Sequence, residues 1–356
     1  MIRVGIVGCG FIGNVHSVAL AQIARTGLAD AAVVATHDVD AARAEATARH
    51  HDGAMALPTV DALLDAVDAV WVCTWTGGHR EVVEAAASHG TPVFCEKPLA
   101  PTLAECEAVA SALRAVPHQV GLVLAHAPVF RAMAEAVRSG RYGAPLAAVF
   151  RDDQYFPIQG MYGSTWRADV ARAGGGTLVE HSIHDVDVLR RILGDARDVS
   201  ARTACHFGHA GIEDVANVSL TYADGATAAL VSVWHQVTSR PSTRRVEVFC
   251  EDALLWTEDD HLGPLHVQTS DRDETVTADP PPWTERLGMP DELAVPLAQY
   301  VEPSLAFLAA LGRAGVDARG HPDVDDALAA HRIVDAAYRS AAAGGVPVAT
   351  EATPAR

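Results

Sequence analysis

The residues Gly8-Cys9-Gly10-Phe11-Ile12-Gly13 follow directly on the apolar run Ile2–Val7 and open a segment whose apolar residues have helical spacing. A G-x-G-x-x-G turn between a strand and a helix is typical of dinucleotide binding: its glycines allow the tight turn, the approach of a pyrophosphate and close helix–strand packing. The first N–H groups of the helix attract the phosphates. The sequence therefore predicts an NAD(P) site made by Gly8, Gly10, Phe11, Ile12 and Gly13.

A carboxylate at the end of the second strand is the next feature expected of such a site, because it accepts hydrogen bonds from the adenosine ribose. Asp38 follows the apolar run 32–36 and lies 25 residues after Gly13. Its charge would repel a 2′-phosphate, so the sequence predicts NAD in preference to NADP. The alternative for Asp38 is a helix-capping residue in an ordinary turn.

The first 125 residues alternate apolar runs with helical patterns, which indicates a doubly wound parallel sheet. Strands are predicted at 2–7, 32–36, 69–74, 92–97 and 120–125, and helices at 14–25, 79–89 and 102–115. Thr102-Leu103-Ala104-Glu105 matches a capping box at the start of the last of these helices. We therefore predict an N-terminal Rossmann domain over residues 1–125.

The pattern changes after residue 145, where one long helix is followed by strand-like runs. The helix is predicted at 174–193, the strands at 198–206, 214–221, 226–236, 244–250 and 253–257, and two closing helices near 303–313 and 324–342. Asp224-Gly225 indicates a hairpin, and residues 271–303 are interpreted as an extended loop. The predicted fold class is thus α/β, with a C-terminal α+β domain at 126–345 that has a large, mainly antiparallel open sheet and C-terminal helices that pack back toward the Rossmann domain.

Composition limits the classes of partner. The chain has 356 residues and a formal net charge of −18, which argues against nucleic acid and against an anionic membrane surface. No apolar run was found to approach the roughly 20 residues of a membrane span, and the N-terminus lacks the pattern of a signal peptide. The six cysteines form no C-x-x-C pair. We expect reduced thiols and a cytoplasmic location.

Charged residues follow the predicted strand at 92–94, in the segment Glu96-Lys97-Pro98. Ligands of open parallel sheets bind at the carboxyl ends of the strands. Lys97 at such an end is suited to hydrogen-bond a substrate hydroxyl and to stabilise the alkoxide that develops as hydride leaves. A solvated lysine at a strand end is the alternative.

A second group of polar residues follows three glycines in the segment that runs from Gly174 to Asp187. On the predicted helix, Glu180 and His184 are four residues apart and share a face. A histidine with a pKa near neutrality is suited to accept a hydroxyl proton, and a nearby carboxylate orients it. The alternative is a helix with an ordinary polar face. The histidine spacing is not that of a known zinc motif, so no metal site is predicted.

Together the glycine turn, Glu96-Lys97-Pro98 and residues 174–187 resemble the glucose–fructose oxidoreductase/inositol dehydrogenase/rhizopine-catabolism (Gfo/Idh/MocA) family over nearly the whole chain. The resemblance implies that Lys97 contacts cofactor and substrate, that His184 is the catalytic base with Glu180 as its partner, and that the protein forms homodimers or homotetramers through its C-terminal sheet. It also implies that Thr74, His79 and Glu96 line the cofactor and that Trp166 and Arg167 lie beside the nicotinamide. The Trp75 indole is suited to pack on the cofactor, with packing within its loop as the alternative, and Tyr155 and Trp166 are suited to pack on the substrate.

Residues at four places depart from the family pattern. Ala125-His126 stands where many members carry Arg-Phe, so a relative's substrate cannot be carried over. Glu180 stands where Asp is frequent, Ser182 where Gly is frequent, and Trp75 where Pro is frequent. The sequence thus predicts an NAD(P)-dependent oxidoreductase acting on a secondary CH–OH group of a sugar, cyclitol or related polyol. Two alternatives remain open: a redox-neutral enzyme that uses bound NAD for transient oxidation, and a non-enzymatic dinucleotide sensor.

Overall fold

The computed structural model describes residues 1–312 and 321–350, apart from the side chains of residues 291 and 292. The chain divides into two compact units. The first comprises Met1–Val123 and Pro280–Leu328, and the second comprises Leu124–Asp279 and Ala329–Arg356. The sequence predicts a C-terminal domain at 126–345. In the structure, Pro280–Leu328 group with the first unit instead.

The regular elements are numbered in chain order. The helices are α1 (Phe11–Thr26), α2 (Ala41–Ala48), α3 (Val60–Leu64), α4 (His79–His89), α5 (Leu103–Leu113), α6 (Pro128–Arg138), α7 (Val170–Ala173), α8 (Thr177–Glu180), α9 (Ile183–Leu193), α10 (Asp291–Leu311) and α11 (Val324–Ala342). The strands are β1 (Ile2–Val7), β2 (Ala31–His37), β3 (Met55–Ala56), β4 (Ala69–Val72), β5 (Val93–Cys95), β6 (His118–Val120), β7 (Pro145–Tyr155), β8 (Asp198–Ala204), β9 (Val215–Thr221), β10 (Thr227–His235), β11 (Thr243–Cys250), β12 (Leu254–Thr257), β13 (Leu265–Gln268), β14 (Asp273–Val276) and β15 (Val348–Ala349).

The first unit is built on a parallel six-stranded sheet in the order β3-β2-β1-β4-β5-β6. This order reverses direction at β1, which is the doubly wound arrangement predicted from the alternating pattern. Thr102 caps α5 at the predicted position, since Glu105 N donates to Thr102 Oγ1, and the Thr102 hydroxyl donates to Glu105 Oε2 at 2.7 Å. The prediction of a Rossmann-type fold is confirmed.

The second unit is built on a nine-stranded sheet in the order β14-β13-β12-β11-β7-β10-β9-β8-β15. Its strand pairs are antiparallel except for β7 with β10, which are parallel. The hairpin at Asp224-Gly225 joins β9 to β10 as predicted. One face of the sheet carries the core, in which Phe150, Leu230 and Val246 pack with residues of α6, α9 and α11. The mainly antiparallel sheet expected for this domain is therefore present.

Three predicted elements are wrong. The strand predicted at 120–125 overlaps the observed β6 only at Val120, and Val123–His126 form a 3₁₀ turn. Residues 174–193 do not form one helix, because α8 ends at Glu180 and α9 begins at Ile183. The interpretation of 271–303 as an extended loop missed β14 and the first half of α10. Pro296 and Pro303 lie inside that helix, and proline is a strong signal against a helix interior, so the local sequence was misleading.

Helix α10 contains a longer apolar segment than the sequence analysis predicts. Its part Leu293–Leu311 is long and apolar enough for a membrane span by length and composition, with a mean hydropathy of 1.3. Within the first unit, however, Val301, Phe307 and Leu308 of this helix pack in one core with Ile23 of α1 and Trp71 of β4. Such packing accounts for its composition as a core helix.

Candidate functional site

The glycine turn of the first unit has two glycines that the protein itself requires and one that faces open space. Gly8 has φ +94°, and a Cβ there would overlap the backbone of Cys73 and Thr74. A Cβ on Gly13 would overlap the Gly8 carbonyl oxygen. Gly10, by contrast, has nothing within 4 Å of its Cβ position. The open space lies where a pyrophosphate approaches in dinucleotide-binding turns.

The start of α1 has the features of a phosphate site. Gly10 is its N-cap and supplies no side-chain hydrogen bond, and the first turn carries no acidic residue. Capping by a side chain would otherwise satisfy one of the first N–H groups. Phe11 is partly exposed beside the turn. The residues present at this turn therefore fit the pyrophosphate of a dinucleotide.

Asp38 lies directly after β2 and is bonded to the glycine turn. Its Oδ2 accepts a 2.7 Å hydrogen bond from Cys9 N, and its Oδ1 accepts one of 2.8 Å from Asp40 N. These bonds hold the carboxylate at the edge of the turn, which is where the ribose ligand is expected. The cap of α2 is Asp40, so the alternative role considered for Asp38 belongs to its neighbour.

Glu96, expected to line the cofactor, is buried and bonded within the protein. Its Oε1 lies 2.7 Å from His16 Nε2 of α1, and its Oε2 accepts a 3.1 Å hydrogen bond from Lys97 N. Burial raises the pKa of the Glu96 carboxyl, but the hydrogen bond and charge of His16 outweigh it, and the net pKa lies below the usual range. Glu96 thus connects α1 to the segment that carries Lys97.

The other polar residues expected near the strand ends lie together after β4. The ring nitrogens of His79 are 2.8 Å from Pro98 O and 3.1 Å from Thr74 O, so this buried side chain links the segment after β4 to the one after β5. Trp75 covers Gly78, whose Cβ would lie 3.2 Å from the indole. Lys97 itself is half-buried.

In the second unit the three glycines at 174–176 allow a left-handed turn and two close approaches to neighbouring elements. Gly174 has φ +83° and ends α7. A Cβ on Gly175 would overlap the Tyr338 hydroxyl, and one on Gly176 would overlap the backbone of Glu213. The Glu213 carboxylate accepts hydrogen bonds from Gly176 N at 2.7 Å and Leu178 N at 2.9 Å. These glycines therefore allow α8 to dock on the segment before β9.

Glu180 forms an ion pair with a residue of the same unit. Arg167 Nε lies 2.9 Å from Glu180 Oε2, and the Glu180 side chain is fully buried. The Arg167 guanidinium also lies over the Trp166 indole, 4.4 Å from its centroid. Three residues expected at the cofactor or substrate are thus brought together in one assembly.

His184 stands in the first turn of α9 and is 7% exposed. Because α8 and α9 are separated at His181 and Ser182, the spacing argument that placed Glu180 and His184 on one helical face does not apply. Ser182 N bonds to Thr177 O at 2.9 Å across the break.

Tyr155, expected at the substrate, is buried at the end of β7. Its hydroxyl accepts a 3.2 Å hydrogen bond from Met161 N, and its ring packs on Tyr162 with centroids 5.3 Å apart. Burial raises the pKa of the Tyr162 hydroxyl. These two rings form an aromatic wall within the second unit.

Two charged residues that the sequence survey did not single out are buried in the second unit. Arg244 is 7% exposed and Asp152 is fully buried. Successive residues of a strand face opposite sides of the sheet. Arg244 therefore faces the same side as the buried Val246 and Val248, and Asp152 faces the same side as Phe150. His16 was missed as well, although it lies on the buried face of α1 with Ala19 and Ile23.

Metal chemistry has no support in the part of the chain that the structure describes. Among residues 1–312 and 321–350, no group of three or more His, Cys, Asp or Glu side chains is arranged to hold an ion. Cys205 is exposed, whereas the other five cysteines are buried and unlinked.

Comparison with known proteins identifies the family. Residues 2–122 match the model of the oxidoreductase family with an NAD-binding Rossmann fold (GFO_IDH_MocA), and residues 130–255 match the GFO/IDH/MocA C-terminal domain. The inositol 2-dehydrogenase of Rhizobium meliloti strain 1021 is 30% identical over 364 residues, covering 96% of this chain and 97% of that protein.

Two further similarities concern part of the chain or the fold alone. The 1,5-anhydro-D-fructose reductase of Ensifer adhaerens is 36% identical over 172 residues, covering 46% of this chain and about half, 49%, of that protein. A crystal structure of an oxidoreductase from Agrobacterium radiobacter, in complex with NAD+, L-tartaric acid and magnesium, shares the fold with a TM-score of 0.81 at 22% identity, covering 98% of each chain. The chain therefore belongs to the GFO/IDH/MocA oxidoreductase family, with an NAD-binding Rossmann domain followed by the family's C-terminal domain.

Proposed function

We propose that this oxidoreductase oxidises a secondary CH–OH group of a cyclitol, sugar or related polyol, with NAD preferred over NADP. The observation that carries the proposal is the geometry of the glycine turn. Protein atoms occupy the Cβ positions of Gly8 and Gly13, whereas the Cβ position of Gly10 faces open space. The similarity to inositol 2-dehydrogenase over 97% of that protein supports the substrate class.

Cofactor residues in this proposal come mainly from the first unit, as Gly8, Gly10, Phe11, Ile12, Gly13, Asp38, Thr74, Trp75, His79 and Lys97. Glu96 acts through the backbone N–H of Lys97 rather than by direct contact. Asp38 favours NAD because its carboxylate would lie against a 2′-phosphate. Bound NAD supplies the acceptor for the hydride of the substrate carbon.

Chemical roles are assigned to three side chains. His184 accepts the proton of the substrate hydroxyl, and Lys97 donates a hydrogen bond to the oxygen and stabilises its developing charge. Glu180 holds Arg167, with which it forms the ion pair described above. Tyr155, Trp166 and Arg167 make the remaining substrate surface, since aromatic rings pack against the C–H faces of sugars.

The same proposal includes assembly through the outer face of the second sheet. Alternate residues of its central strands point away from the core, and several are apolar: Val149, Val231, Val233, Phe249, Leu254 and Trp256. Val149 is 41% and Phe249 39% exposed. A second copy of this chain would cover these residues. We propose a homodimer or homotetramer, which Phe249→Glu should shift toward monomer in light scattering, and a cytoplasmic location.

The experiment that tests the function is a panel of cyclitols and sugars incubated with NAD or NADP, monitored at 340 nm, where reduced nicotinamide absorbs. We expect NAD-dependent turnover of at least one polyol, and loss of that turnover in Lys97→Met and His184→Ala. Product formation without net absorbance change would favour transient oxidation. NAD binding without chemistry on any substrate would favour a sensor, and either result would contradict the proposal.

A further inference from the structure

A cluster of charged side chains lies inside the second unit, directly beneath the break between α8 and α9. Arg244 of β11 is at its centre. The side chains around it are Asp152 of β7, His181 and Asp185 beside the break, and Asp260 after β12. None of these side chains has a role in the chemistry proposed above, and three charged groups among them, Asp152, Asp185 and Arg244, are more than nine-tenths buried.

Arg244 donates to three different partners. Its Nε lies 2.7 Å from Asp185 Oδ1, its Nη1 2.9 Å from Asp260 Oδ2 and its Nη2 2.8 Å from His181 Nε2. The planar guanidinium presents its N–H groups in fixed directions. One side chain on the sheet therefore holds both His181, in the break, and Asp185, in the first turn of α9.

The contact with Arg244 also determines the tautomer of His181. A guanidinium has only donors, so His181 Nε2 must accept and its ring proton must be on Nδ1. His181 Nδ1 lies 3.1 Å from Asp152 Oδ2. The ring therefore lies between the Arg244 guanidinium and a carboxyl group of the sheet.

Ser182 adds a second attachment to the sheet. Its hydroxyl oxygen is 2.7 Å from Asp152 Oδ2 and 2.6 Å from Ser232 Oγ, and Ser232 Oγ is 2.7 Å from Thr177 Oγ1. The glycine that is frequent at this position in the family pattern would make neither side-chain bond. The residue that departs from the pattern is thus built into the network.

We propose that Arg244, Asp152 and Ser182 are positioning residues that fix the break between α8 and α9 and so set the orientation of His184. The inference rests on the proposed function for the role of His184. The backbone is well bonded at Ser182, whose N–H donates to Thr177 O at 2.9 Å, but His184 N reaches His181 O only at 3.4 Å. The side-chain network, anchored on three strands of the sheet, adds a constraint on this segment to the one that the backbone supplies.

Ser182→Ala is the sharpest test because it removes one hydroxyl and leaves the charged groups intact. We expect kcat to fall about tenfold to a hundredfold, since small misplacements of a catalytic group have effects of this size, while the Kd for NAD stays unchanged. Arg244→Lys should show the same direction, and Arg339→Met, which removes an exposed arginine paired with Asp335, is the matched control with wild-type kcat.

A double-mutant measurement separates positioning from general structure. In the His184→Ala background, Ser182→Ala should produce no further loss of the residual rate, because the hydroxyl acts through His184. An equal loss in both backgrounds would overturn the proposal. So would a Ser182→Ala protein with wild-type kcat.

An independent readout is the ¹⁵N NMR titration of His184, assigned by comparison with His184→Ala. The pH midpoint of the His184 titration should differ from the wild-type value in Ser182→Ala and equal it in Arg339→Met. A wild-type midpoint in Ser182→Ala would overturn the proposal. This arm needs no turnover. If the wild-type protein oxidised no polyol, the proposed function would fail while the NMR comparison would still decide whether the network positions His184.

Discussion

Arg167 Nε donates a 2.9 Å hydrogen bond to Glu180 Oε2, so the carboxylate that the sequence assigned to His184 is bonded to an arginine. The Glu180 side chain is longer than that of the Asp that is frequent at this position in the family pattern, and its partner here is Arg167. Arg167 is in turn held over Trp166. Glu180 therefore anchors a cation and an indole in one position.

The first prediction concerns this ion pair. Arg167→Met removes a charged hydrogen-bond donor to a buried carboxylate, so we expect the free energy of unfolding to fall by about 1.5–3 kcal/mol, the range for a hydrogen bond to a charged group. We also expect kcat/KM to fall about tenfold, the equivalent of one charge-assisted hydrogen bond. Urea unfolding and steady-state kinetics measure the two effects.

A matched control for Arg167 lies close by in the sequence. Arg172→Met removes an arginine whose i,i+3 pair with Asp169 is about half-exposed, and exposed pairs contribute little to stability. Equal losses in the two variants would contradict the role given to the Arg167–Glu180 pair.

The second prediction separates two glycines of one turn. Gly13→Ala would force a Cβ onto the Gly8 carbonyl, and we expect a loss of more than about 3 kcal/mol of stability or no folded protein. Gly10→Ala has open space and should keep the melting temperature of the unliganded protein. Its added methyl group should nevertheless weaken NAD binding at least about tenfold, as measured by calorimetric titration. Normal NAD affinity in Gly10→Ala would contradict the placement of the pyrophosphate.

The third prediction concerns cofactor choice. Asp38→Asn keeps an oxygen to accept from Cys9 N but removes the charge that opposes a 2′-phosphate. We expect the ratio of kcat/KM for NADP to that for NAD to rise at least about tenfold, or roughly 1.4 kcal/mol. Asp40→Asn is the control, because Asn also caps a helix and Asp40 is bonded to Ala42 N. A ratio that rises equally in both variants would contradict the assignment.

The fourth prediction is a pH dependence of stability. Burial, opposed by Arg244 and reinforced by Asp185, raises the pKa of the Asp152 carboxyl well above its usual range. The folded protein thus holds a proton that the unfolded chain releases above about pH 4, and wild-type stability decreases as the pH rises from there toward the folded pKa. Asp152→Asn stays neutral, so its stability relative to wild type should increase by up to about 1.4 kcal/mol per pH unit. Urea unfolding between pH 4 and 8 measures this.

The adjacent carboxylate provides the control of opposite sign. Burial raises the pKa of Asp153, but hydrogen bonds from Arg240 and Thr243 outweigh it and lower the pKa to about 2. Its stabilisation is present above about pH 4 and is lost as the pH falls toward 2. Asp153→Asn should therefore be less stable than wild type by an amount that is constant above pH 4 and shrinks below it. The same pH dependence in Asp152→Asn and Asp153→Asn would contradict both assignments.

Much of the first unit is predictable from local sequence. The glycine turn, the buried strands and the capping box each depend on residues a few positions apart, and their conformations follow from sterics and periodicity. The alternation of buried and exposed residues along the strands of the second unit is also a local pattern. It indicates that Arg244 and Asp152 face the same side as the buried apolar residues. The proline-containing helix α10 is the exception, because packing against α1 overrides its local preference.

The partners of the polar side chains depend on tertiary structure. Arg244 meets His181 from 63 positions away in the chain, and Ser182 meets Ser232 from 50. A sequence pattern shows which residues can form hydrogen bonds and ion pairs. It does not specify which of several carboxylates a buried arginine contacts, because that depends on strand order and register. The sequence therefore determined the dinucleotide turn, the domain types and the identity of the reactive side chains. Only the folded sheet decided that Glu180 pairs with Arg167 and that the helix breaks between Glu180 and His184.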